Sequence, residues 1–127
     1  MNAAKFIQNL RNSGYIVSLK EGMILISGKE LDDNLRATLK IHKRQVLTVL
    51  QKEQARRERV IKMLVDNQAL ECASYCNADD TDDNYHYLAL AVRDEHGGAT
   101  CELLIPRAKV DIWQLMWFIQ QHGNQKH

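Results

Sequence analysis

Residues 14–28 read GYIVSLKEGMILISG. Two runs with apolar residues at every second position flank Glu21-Gly22, so the stretch predicts a β-hairpin closed by a two-residue turn. Tyr15, Val17, Leu19, Ile24 and Ile26 fall on one face. This is the larger apolar set, and the alternation assigns it to a core. Ile16, Met23 and Leu25 fall on the opposite face, beside Ser18 and Ser27. Water does not favour a continuous apolar patch, so the outer face is expected to lie against another polypeptide or against the later half of the chain.

Upstream, NAAKFIQNLRNSG places Ala3, Phe6, Ile7 and Leu10 at helical spacing, with Asn2 as N-cap and Gly14 at the C-terminal cap. Downstream, LDDNLRATLKIHKRQVLTVLQKEQ is helical, with Asp32 or Asp33 at its start. Its apolar phase slips at Ile41-His42-Lys43, which predicts two helices in place of one. KEQARRERVIKMLVDN then reads as a polar, basic hinge and the start of a second unit.

LECASYC is compatible with a strand or a helix end. YHYLALAV and ATCELLI are β-rich and are joined by RDEHGG, a second hairpin. Cys101 lies within an alternating run and is expected to face a core. A closing helix runs from Ile112, with Asp111 as N-cap and Gly123 just past its end. The fold class is therefore α+β. An αββαα unit over residues 1–52 is followed by a small unit over residues 53–127, built of a helix, antiparallel strands and a C-terminal helix.

In residues 1–50 the spacing Y-x-V-x-L-x-x-G-x-I-x-I, carried by Tyr15, Val17, Leu19, Gly22, Ile24 and Ile26, follows a short amphipathic helix and Gly14. It is succeeded by Leu31, Leu35, Leu39, His42, Lys43, Val46, Leu47 and Leu50. This pattern resembles the N-terminal docking domain of the tubulysin-synthetase type, found at the start of nonribosomal peptide synthetase subunits. The resemblance implies a homodimeric module whose hairpin takes a short acidic tail of a partner protein by strand addition and charge pairing. Ile16, Lys20, Met23, Leu25 and Lys29 are then the expected partner-binding residues.

The net charge of +1 conceals an asymmetry, +7 over residues 1–62 and −6 over residues 63–127. Such polarity suits either an acidic partner or attraction between the two halves. The acidic stretch DDTDDN is itself a candidate self-ligand for the basic half, in cis or from a second subunit. Its Asp80, Asp82 and Asn84 alternate as calcium ligands do, but the loop lacks Gly at the sixth position and carries Ala91 at the twelfth. A surface loop is expected instead. Cys72 and Cys76, with Cys101, His86 and His96, lack the paired spacing of a structural zinc site, so no metal is expected.

Lys43, Arg44, Arg56, Arg57 and Arg59 offer an alternative, nucleic-acid binding by a mobile-element or phage-type accessory protein. On the closing helix, Ile112, Leu115, Met116 and Ile119 suffice for a core. Trp113, Trp117 and Phe118 extend the apolar arc well beyond an ordinary stripe. They are either a second interface, as in an inhibitor of a host defence complex, or covered on three sides. No nucleophile elbow, phosphate-binding glycine loop, H-E-x-x-H or dinucleotide fingerprint occurs. The expectation is a cytoplasmic, non-enzymatic interaction protein without cofactor or membrane span.

Overall fold

The computed structural model describes residues 2–77, 85–95, 97–107 and 111–124. The chain divides into two compact units, Met1–Gln54 and Ala55–His127. As the apolar patterning indicates, the class is α+β, with four helices and two antiparallel sheets among the described residues.

The first unit begins with α1 (Ala3–Asn12), where the Asn2 side chain accepts a hydrogen bond from Lys5 N. Strands β1 (Ile16–Lys20) and β2 (Met23–Ser27) form the hairpin, in the register Val17↔Ile26 and Leu19↔Ile24. Glu21 and Gly22 both have positive φ, 54° and 76°, which makes a type I′ turn whose twist matches the strands. Gly28, with φ 94°, brings its α-carbon so near the chain that a β-carbon would lie 2.8 Å from Gly14 O. Helix α2 (Asp33–Ile41) is capped by Asp32, which accepts from Leu35 N, and ends at His42.

The core of this unit joins Ala3, Ile7 and Leu10 of α1 to Val17 and to Val46 and Leu50 of α3 (Lys43–Asp66). Tyr15, Leu19, Ile24 and Ile26 are half-buried around it, which is the expected inner face. Arg11 pins three elements together. It forms a bidentate pair with Glu53, both contacts at 2.8 Å, and donates to Val17 O at 2.7 Å.

The expected hinge is instead the middle of α3, which runs unbroken for 24 residues. Lys, Glu, Gln, Ala and Arg are strong helix formers, and they outweigh the missing apolar stripe. The buried stripe does in fact continue, through charged positions: Val46, Leu50, Glu53, Arg56, Val60 and Leu64 are all buried.

In the second unit β3 (Cys72–Tyr75), β4 (Tyr85–Val92) and β5 (Ala99–Pro106) form an antiparallel sheet in the order β3-β4-β5. Val60 and Leu64 of α3 pack with Ala73, Ala89 and Ala91. The alternate residues of the sheet, Cys76 and Leu88 with Leu90 and Ile105, pack with Ile112, Leu115, Met116 and Ile119 of α4 (Ile112–Gly123). One helix thus serves each face of the sheet. The α3 terminus is closed by Arg93, whose Nη2 donates to Leu64 O at 2.7 Å and whose Nε donates to Leu70 O at 3.1 Å.

Asp111 caps α4, as expected, by accepting from Trp113 N and Gln114 N. Gly123 is not past the helix end but its last residue, and Asn124 is the cap. A β-carbon on Gly123 would stand 3.0 Å from Cys72 Cβ, so the glycine lets the helix meet β3 closely. Asn124 completes that junction. Its Oδ1 accepts from Glu71 N and Cys72 N, and its Nδ2 donates to Cys72 O.

Candidate protein-docking groove

A groove of about 640 Å3 runs along β2 in the first unit. Ile24, Leu25 and Ile26 line it consecutively, although neighbouring side chains of a strand point to opposite faces. The groove therefore follows the backbone edge of β2, which pairs with no strand other than β1 among the described residues. Leu31, Ala37 and Leu39 complete an apolar floor and wall.

Charge is set at its rim. Arg36, Lys40 and Lys43 line the groove together with a single acid, Asp33. All three cations are exposed, and none forms an ion pair among the described residues. Arg36 and Lys40, four residues apart, share one side of α2, and Lys43 joins them at the groove from the start of α3. An extended segment entering the groove would meet free backbone donors and acceptors, an apolar floor and a positive rim.

The residues singled out in the sequence are arranged differently. Ile16, Met23 and Leu25 lie on the outer hairpin face at 61%, 72% and 46% exposure. Only Leu25 also lines the groove. Lys20 is exposed opposite Met23. Lys29 lies over the Tyr15 ring, 5.6 Å from its centroid, which ties it to the hairpin's base. Arg36 and Lys40 were missed, although their helical spacing beside a hairpin edge is a signal the sequence contains.

The proposed phosphate contacts also separate. Lys43 lines the groove, and Arg44, Arg57 and Arg59 are exposed. Arg59 lies 5.8 Å from the centroid of the Tyr75 ring. Arg56 is a correction. It is buried, pairs with Glu102 and lies over the Tyr87 ring, so it is an internal group and not a phosphate contact. Desolvated and already neutralised, it has no charge to offer a polyanion.

In the second unit Trp113, Trp117 and Phe118 are exposed, with the Phe118 ring 4.2 Å from His122. Cys101 is exposed as well, against expectation. It shares a sheet face with Leu103 and Ile105, but α4 packs chiefly on β3 and its cover thins out across β5. Cys72 and Cys76 are buried. Burial, and next the neighbouring Cys101, push the Cys72 thiol up from its ordinary value.

Among the described residues no His, Cys, Asp and Glu group is placed to hold a metal ion. Nor is any helix long and apolar enough to cross a membrane. Asp80, Asp82, Asn84 and His96 lie outside the described residues. Comparison of the chain with family models, with curated proteins and with solved structures gives no match.

Proposed function

We propose that the N-terminal unit is a protein-docking module that binds an extended acidic segment of another protein along the free edge of β2. The observation that carries this reading is the apolar groove beside that edge, rimmed by Arg36, Lys40 and Lys43. The resemblance of residues 1–50 to synthetase docking domains points the same way.

The physical division of labour follows from magnitudes. Exposed ion pairs contribute only about 0–1 kcal/mol each and are screened by salt. Affinity therefore comes from the added backbone ladder and from apolar side chains placed over Leu25, Leu31 and Leu39. The cations choose the partner and hasten encounter. A segment alternating Glu or Asp with Leu or Val matches both requirements.

The test uses the full chain and a labelled synthetic peptide of that alternating composition, read by fluorescence anisotropy. A micromolar Kd is expected, weakened about tenfold or more in Arg36→Glu combined with Lys40→Glu. Equal affinity for a peptide with Lys in place of the acids would overturn the reading, as would indifference to the double reversal. Arg57→Ala serves as the control, exposed and not among the groove-lining residues, and is expected to bind like the unaltered chain.

A further inference from the structure

β5 is the outer strand of the second sheet and pairs only with β4 among the described residues. It runs for eight residues in unbroken register, from Val92↔Ala99 to Tyr85↔Pro106. Edge strands of that length are ordinarily blunted by lysines, bulges or an internal proline. β5 has no lysine and no bulge, and its proline stands at the last position. Its one charged side chain, Glu102, is turned to the buried Arg56. The edge is thus long, regular and electrically silent.

We infer that β5 pairs antiparallel with β5 of a second copy of this chain, joining two three-stranded sheets into one of six strands. A neutral edge suits its own copy, since no like charges are brought together and every outward donor of one strand finds an acceptor on the other. A two-fold axis perpendicular to the sheet places residues of the same face opposite one another, so the axis must pass midway between a residue and its own copy. Centring on Glu102 would set two carboxylates face to face, which is unfavourable. Centring on Leu103 gives an overlap of the same length, residues 100–106 against 106–100, and keeps the two carboxylates from facing each other. Leu103, at 41% exposure, then meets Leu103 of the second copy, and Cys101 meets Ile105. The contact uses only the second unit and is independent of groove binding.

The experiment takes the full chain to sedimentation equilibrium and to cross-linking. A species of twice the 14.6 kDa chain mass is expected. Leu103→Lys is expected to weaken it about tenfold or more while leaving the circular dichroism spectrum in place. In a Cys101→Ser background, Leu103→Cys is expected to give a disulfide-linked dimer under mild oxidant, because opposed β-carbons stand about 5 Å apart. A monomeric chain would overturn the inference. So would a dimer that survives Leu103→Lys but is lost in Trp113→Ala with Trp117→Ala, since that result assigns the contact to α4. Arg36→Glu with Lys40→Glu is expected to leave the mass unchanged, which keeps this outcome apart from that of the groove.

Discussion

In the first unit Arg11 meets Glu53 while 33% of its side chain still faces water, whereas in the second Arg56 meets Glu102 with only 3% of its side chain exposed. The chemistry is the same and the setting is not. Arg11 also holds Val17 O, so its work is to tie β1 to two helices at the rim of a small core. Arg56 lies inside, between Glu102 and the face of Tyr87, where breaking the pair removes a charge-assisted contact from a desolvated group. A half-exposed pair can be replaced by water. A buried one cannot.

The contrast predicts its own largest effect. Glu102→Ala removes the bidentate carboxylate from a desolvated guanidinium and is expected to cost about 3–5 kcal/mol. Urea denaturation of the variant measures it through the shift in midpoint. The stronger check is the double variant Arg56→Met with Glu102→Met, which removes both charges and is expected to recover most of that loss. If the double variant is no better than the single one, packing of the side chains, and not stranded charge, governs this position.

Glu53→Ala is the matching change in the first unit and is expected to cost less, about 1–2 kcal/mol, because the freed Arg11 can hydrate at its exposed side and keeps Val17 O. Equal losses at Glu53 and Glu102 in the same denaturation experiment would erase the difference between the two settings. A loss at Glu53 that rises in low salt and falls in high salt would sharpen it, since only the solvent-facing pair is open to screening.

These two pairs also show how far the sequence could be read. The hairpin was legible because alternation at Tyr15, Val17 and Leu19 and the Glu21-Gly22 turn are local signals. So were the caps at Asn2 and Asp111, and the α2 cap was narrowed to Asp32 or Asp33, of which Asp32 serves. Helix α3 was misread as a hinge because its buried stripe passes through Glu53 and Arg56, and a count of apolar spacing sees a gap there. Their partners lie 42 and 46 residues away, so nothing local announces that these charges are neutralised. The groove was hidden for the same reason. It exists only where α2 folds beside β2, whereas the outer-face residues Ile16 and Met23 stand out from the strand pattern alone. Cys101 was placed in a core by its alternation, which correctly gives the face but not how far α4 covers it.

The cysteines test that last distinction at the smallest energetic scale. Cys101 stands on the open part of the second sheet, while Cys72 and Cys76 are buried. At neutral pH iodoacetamide is expected to modify Cys101 first, with Cys72 and Cys76 following only as the unit opens, as peptide mapping over time would record. Burial keeps the Cys72 proton in place longer in the folded chain than in the unfolded one. The folded state therefore binds more protons once the unfolded thiol begins to ionise, and stability falls as pH climbs past the ordinary thiol value of 9.0. Below that value the thiol contributes no pH dependence. Cys72→Ala is expected to start from a lower urea midpoint, because it leaves a small cavity beside Gly123, yet to lose less between neutral pH and pH 10 than the unaltered chain. Parallel decline of the two proteins would show that the thiolate is not excluded from the fold, and rapid labelling of Cys72 would show that α4 does not seal β3.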